Sequence, residues 1–107
     1  MPNDPPASYK FVCPEEQRKQ LKAWAERAAA LGIVPEYLAA LKSIQHHLTT
    51  DPLAWGDPCY QLNNLGLQVY QKACTPLHLW YAVDTARQVV YVARLTPFSG
   101  SGLEQEE

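Results

Sequence analysis

Between Pro76 and Pro97 the apolar positions follow a period of two. Leu77, Leu79, Tyr81 and Val83 fall on one side of an extended segment, and His78, Trp80 and Ala82 fall on the other. After the turn-like Asp84-Thr85-Ala86-Arg87, the run Gln88 to Leu95 is rich in Val and Tyr, the composition of a well-buried strand. Upstream, Leu67 and Val69 share one face of a strand ending at Cys74, while Gln68, Tyr70 and Lys72 share the opposite one. Tyr60–Phe98 therefore reads as three strands joined as a meander, entered through Tyr60-Gln-Leu62 and the turn-like Asn63-Asn64-Leu65-Gly66.

The first half changes period. Ser8 to Val12 alternates Tyr9 and Phe11 against Lys10 and Val12, which suits a short first strand. Pro14 then stands where a helix accepts proline at its start, and Gly32 where one stops, which predicts a helix up to Leu31. Along it Leu21, Trp24, Ala25, Ala28 and Leu31 make one apolar stripe. Pro35 repeats the device for a second helix to about Thr49, with Leu38, Leu41, Ile44, Gln45 and Leu48 on one side and Asp51-Pro52 as its stop. Gly32, Ile33 and Val34 alone separate the helices, so they form an antiparallel hairpin. Leu53 to Cys59 reads as an irregular connector.

Two helices that are each apolar on one side must cover one face of the sheet and leave the other open. The predicted fold is thus an α+β two-layer sandwich of β-α-α-β-β-β order, an antiparallel meander sheet with an αα-hairpin on one face. Residues 8–98 make a single domain. Residues 1–7 are Pro-rich and polar and read as a mobile arm, and 99–107 as a disordered acidic tail.

Composition narrows the function classes. A chain of 107 residues with 47% apolar content buries enough surface to fold without a metal or a disulfide. Cys13, Cys59 and Cys74 are odd in number and lack metal or redox spacing, which points to a reducing, cytoplasmic setting. The N-terminus has no signal-peptide pattern, and no apolar run approaches the roughly 18 residues of a membrane span, so no membrane partner is expected. The formal net charge is −2. Without Asp4, Glu104, Glu106 and Glu107 the acidic count falls from 11 to 7 against 9 Lys and Arg. The body is then only mildly basic, short of a strong nucleic-acid footprint.

Other chemistry is sparse. His46-His47 would point about 100° apart on a helix, with no Cys or carboxylate at ligand spacing, so no metal site is assigned. No phosphate-binding Gly loop, zincin motif or Gly-x-Ser-x-Gly elbow occurs, and no cofactor is expected.

The Leu48-Thr-Thr-Asp-Pro52 helix exit, the connector into Tyr60-Gln-Leu62, and Leu79-Trp-Tyr-Ala-Val-Asp84 followed by Val89-Val-Tyr-Val92 resemble the RelE/ParE superfamily of small toxins over roughly residues 8 to 97. The likeness implies the β-α-α-β-β-β fold. It also implies one of two activities: metal-independent cleavage of messenger RNA on the ribosome, as in RelE-type members, or binding of DNA gyrase without RNA cleavage, as in ParE-type members. Both kinds are held by an antitoxin protein that wraps the toxin. RNA cleavage requires a group to take the 2′-OH proton, another to protonate the departing 5′-oxygen, and cations around the phosphate. The family's Arg at the start of its third strand falls on His78, and its basic residue at the end of the preceding strand on Lys72. The basic run beyond the last strand is replaced by Thr96-Pro97-Phe98-Ser99, with Arg94 two or three residues earlier.

Strand parity puts Tyr70, Lys72, His78 and Trp80 on the open face, and Arg94 joins them if Val90, Val92 and Arg94 point outward together. In the reverse phase Tyr91 is outward and Arg94 inward. Lys72, His78 and Arg94 are the candidate catalytic residues, with His78 suited to proton exchange near neutral pH. Tyr70, Trp80 and Arg87 are candidates for holding RNA or a partner. Trp80 would stack a base, anchor a partner's helix, or be covered by the tail or by a second copy of the chain in a homodimer. Two readings stay open: a ribosome-associated endoribonuclease, and a noncatalytic protein-binding module on the same fold.

Overall fold

The two prolines and the glycine act where the chain needs them. In a computed structural model, which describes residues 8–98 and 100–103, α1 spans Glu15–Leu31 and follows Pro14 directly, with Glu15 and Glu16 in its first turn. Carboxylates there complement the positive end of the helix dipole. Gly32 closes α1 at φ +75°, a left-handed conformation that favours glycine. Its N–H donates to the Ala29 carbonyl at 3.3 Å and that of Ile33 to the Ala28 carbonyl at 3.0 Å, the two bonds of a Schellman motif. The second helix, α2 (Val34–Thr50), carries Pro35 in its first turn and runs back along α1. A one-turn helix, α3 (Pro52–Trp55), and a strand starting at Asp57 occupy the expected irregular connector.

Five strands form one sheet: β1 (Lys10–Val12), β2 (Asp57–Leu62), β3 (Leu67–Cys74), β4 (Leu77–Asp84) and β5 (Val89–Pro97), in the spatial order β1-β5-β4-β3-β2. The architecture is the α+β sandwich with a helical hairpin that the periodicity predicts, with two corrections. The stretch from Tyr60 to Phe98 holds the end of a further strand, β2, so the meander has four strands. The sheet is also mixed, because β1 pairs in parallel with β5 through Lys10–Val89, Phe11–Val90 and Val12–Tyr91. The αα-hairpin carries the chain across one face of the sheet before β2 begins, so β1 takes its place beside the last strand.

The core lies between the helices and the sheet. Trp24 and Ala28 of α1, Tyr37, Ile44 and Leu48 of α2, and Leu77, Leu79, Tyr81, Val83, Val90, Val92 and Leu95 of the sheet are buried in it. The Tyr37 hydroxyl donates to the Leu21 carbonyl at 2.6 Å and ties the hairpin together. The buried stripe of α2 is Tyr37, Ala40, Ile44 and Leu48, rotated from the expected one, and Leu38 and Gln45 are exposed. The tyrosine ring, with its hydroxyl satisfied, fills the inner position better than Leu38 does.

The expected loose C-terminal tail is corrected in its described part. Leu103 is fully buried and belongs to the core, and the Arg27 Nε donates to the Gly102 carbonyl at 3.1 Å. Gly102, at φ +89°, lies against Leu31, where an added Cβ would come within 2.8 Å of its Cδ1. The segment thus seats on the end of α1. The expected arm at 1–7, Ser99 and the acidic end at 104–107 lie outside the described residues.

Candidate functional site on the open sheet face

Cross-strand register assigns each side chain to a face. Val69 opposes Ala82, Gln71 opposes Trp80 and Ala73 opposes His78, so these belong to the open face. Tyr70 opposes Tyr81 and Lys72 opposes Leu79, which places both on the helix side. The expected cluster is therefore divided. Leu67 and Val69 point outward and Tyr70 and Lys72 inward, the reverse of the predicted parity. Tyr70 is buried and stacks on Tyr81 with ring centroids 5.3 Å apart. The Lys72 Nζ is 5.8 Å from the Trp55 ring centre, within cation–π range.

The phase of β5 resolves through a bulge. Tyr81 opposes Val92, but Trp80 opposes Arg94, so Ala93 is an extra residue in the ladder. Before it Val90 and Val92 point inward and Tyr91 outward, and beyond it Arg94 points outward and Leu95 inward. Tyr91 and Arg94 thus share the open face, where an unbroken period of two would have allowed only one of them.

The open face is built in rows. Tyr60, Val69, Ala82 and Tyr91 lie in register across four strands, and the two small residues in the middle are buried between flanking tyrosine positions. The next row is Asp57, Gln71, Trp80 and Arg94. Here the Arg94 guanidinium lies 5.0 Å from the Trp80 ring centre, and His78 stacks on Trp80 at 4.2 Å with the planes 9° apart. Phe98 leans on His78 at 5.7 Å. The His78 Nε2 and the Gln71 Oε1 are 3.2 Å apart. With the proton on Nε2 this is a donated hydrogen bond, and Nδ1 is left as the acceptor. Tyr60, Trp80, Ala93 and Arg94 line a shallow cleft beside this row.

Arg87 belongs to the other end of the face. Its Nη1 donates to Asp84 Oδ2 at 3.3 Å, and its backbone N–H to Asp84 Oδ1 at 3.2 Å. With Leu65, Leu67, Asp84 and Tyr91 it lines a second cleft. Four residue steps of β4 lead from Trp80 to Asp84, roughly 13 Å of extended chain, so Arg87 and the Trp80 row lie at separate ends of the face. Tyr60, Gln71 and Phe98 are open-face residues that the sequence reading missed, and Tyr91 faces outward as in its reverse-phase alternative.

A second polar cluster lies on the helix side at the end of α2. The His47 Nδ1 is 2.8 Å from Asp51 Oδ1, and the His47 ring stacks on Trp55 at 4.8 Å with the planes 9° apart. Burial works to raise the Asp51 pKa, but hydrogen bonds from His47 and Thr50 and the charge of the nearby imidazoles outweigh it and hold the carboxyl below its ordinary value. His46 and His47 have neighbouring rings, yet no group of three or more metal-ligating side chains exists among the described residues.

As chemistry, the Trp80 end of the open face offers one imidazole, one guanidinium and a broad aromatic and aliphatic surface. Guanidinium on indole is a common feature of binding surfaces. General acid–base cleavage of RNA needs two proton-transfer groups and cations around the phosphate, and the ammonium of Lys72 is on the other side of the sheet. No helix among the described residues is long and apolar enough to cross a membrane. Compared with protein-family models, curated proteins and solved structures, the chain matches none.

Proposed function

We propose that this protein is a toxin-type chain of the RelE/ParE kind that acts by holding a macromolecular partner on its open sheet face, without cutting RNA. The observation that carries this reading is the Gln71, His78, Trp80 and Arg94 array on a face from which Lys72 is absent. Such a surface supplies aromatic anchors and one delocalised cation, the residue types that dominate protein interfaces, but not the set of groups that RNA cleavage demands. The β-α-α start followed by an antiparallel meander supports the family resemblance. An antitoxin that wraps the chain is the regulatory partner that this resemblance implies, and the three free thiols suit a cytoplasmic setting.

Induced expression in bacteria tests the reading. Growth should arrest with the wild type and recover with Trp80→Ala or Arg94→Ala, while ribosome-bound messenger RNA stays intact. Growth unaffected by the wild type would end the toxin reading. The second reading is a ribosome-associated endoribonuclease, and the proximity of His78 and Arg94 to the same indole ring favours it. It predicts messenger RNA cut during arrest and left whole when His78→Ala is induced.

A further inference from the structure

Beyond β5 the chain passes from one side of the sheet to the other. Phe98 is on the open face, where its ring leans on His78 at 5.7 Å. Leu103 is fully buried on the helix side, in the core that holds Trp24 and Ala28. The backbone between them is tied to the fold at several points. The Phe98 N–H donates to the Pro76 carbonyl at 2.9 Å, continuing the β4–β5 pairing, and the Phe98 carbonyl accepts from the Ser101 N–H at 3.0 Å. The Leu103 N–H donates to the Ser101 Oγ at 3.2 Å, and the Gly102 carbonyl accepts from the Arg27 Nε at 3.1 Å.

We propose that this C-terminal segment is a latch: Leu103, seated in the core, holds Phe98 on His78 and so sets the state of the open face. The anchor is the first argument. A segment outside any helix or strand frays unless something ties it down, and here a fully buried leucine does so. Its seating is discrete, because a close-packed core either accepts the side chain or leaves it in water. The second is the shortness of the link. Ser101 bonds both ways, to Phe98 through its N–H and to Leu103 through its hydroxyl, so release of Leu103 withdraws support from the Phe98 backbone. The third is the tightness of the seat. Gly102 is at φ +89°, and a Cβ there would come within 2.8 Å of the Leu31 Cδ1, so any side chain pushes the segment off α1. With Leu103 released, Phe98 leaves His78 and the imidazole gains solvent where the phenyl ring covered it. Whatever displaces the segment from Arg27 and Leu31 thereby acts on the opposite side of the sheet. That bearing on partner binding rests on the function proposed above, whereas the coupling is measured on the free protein, so each can fail alone.

Nuclear magnetic resonance of the full-length protein supplies the test. The wild type should show Overhauser cross-peaks between the Phe98 and His78 rings. Leu103→Ala should erase them and speed hydrogen exchange of the Ser101 amide by about ten-fold or more, while the Leu79 and Tyr81 amides in the middle of the sheet stay protected. Leu103→Met, which refills the core, should restore both signals. Gly102→Ala unseats the segment without opening the core and should reproduce the loss, which keeps the test valid if Leu103→Ala does not fold. Ile44→Val trims the same core from α2 and should leave the cross-peaks in place. Ring contacts that persist while the Ser101 amide exchanges fast would refute the latch. So would Ser101 exchange unchanged in both folded variants, or equal loss of the cross-peaks in Ile44→Val.

Discussion

Gly56 shows how one residue can be held by another far away in sequence. A Cβ there would meet the Tyr81 hydroxyl oxygen at 2.5 Å and the Gln71 carbonyl at 3.0 Å. The ring cannot yield easily, because its hydroxyl donates to the Pro52 carbonyl at 2.6 Å and accepts from the Gly56 N–H at 2.9 Å. Tyr81 thereby links the α3 turn to the middle of the sheet. Gly56→Ala should cost about 2–3 kcal/mol through overpacking. Tyr81→Phe should cost about 1–3 kcal/mol by leaving a buried donor and acceptor unmatched. Since the missing hydroxyl also removes the closest clash, the double variant should lose less than the sum of the two. Urea unfolding of the three variants measures this, and strictly additive losses would mean that the hydroxyl is not what Gly56 accommodates.

At the level of elements, turn and ladder geometry decide what faces where. Gln88 closes the β4–β5 turn at φ +56°, the one left-handed residue other than glycine among those described. A side chain there costs about 1–2 kcal/mol, and glycine regains part of it against its larger unfolded-state entropy. Gln88→Gly should therefore stabilise by about 0.5–1 kcal/mol, read from a rise in the urea midpoint with an unchanged slope. A fall in the midpoint would show that the Gln88 side chain does more than fill the turn. The bulge at Ala93, five residues further on, was legible in principle: the apolar Val90, Val92 and Leu95 break the period of two, which signals one extra residue. The helix starts and the Gly32 stop were legible because proline and glycine act through local backbone geometry. The parity of β3 was not, since both of its faces are mixed. Leu67 and Val69 on one compete with Tyr70 and Cys74 on the other, and only the approach of Trp55 and the partnership with Tyr81 decide between them. The role of Leu103 was hidden for a related reason, as one apolar residue in an acidic end has no periodicity to read.

Across the whole molecule, the two layers are tied by phenols as well as by apolar packing, and this gives the fold a defined weakness in alkali. Tyr37 joins α2 to α1 through the Leu21 carbonyl, and burial pushes its pKa up to about 12. Burial also raises the pKa of Tyr81, despite the opposing hydrogen bond from the Gly56 N–H. A phenol whose folded pKa exceeds its unfolded value, about 10, binds its proton more tightly in the folded chain. Its contribution to stability is fully present below pH 10 and is lost as the pH rises toward the folded value. The stability of the protein should thus fall between about pH 10 and 12, read as a declining urea midpoint. Tyr37→Phe separates this linkage from general alkaline damage, because the two effects of the substitution have opposite signs. At neutral pH it should lose about 1 kcal/mol with the hydrogen bond to Leu21. In alkali one proton fewer is released on unfolding, so stability should fall less steeply with pH than in the wild type. Parallel stability–pH curves for the two proteins above pH 10 would show that Tyr37 does not titrate with unfolding, and the weakness would then have to come from Tyr81 or from elsewhere in the chain.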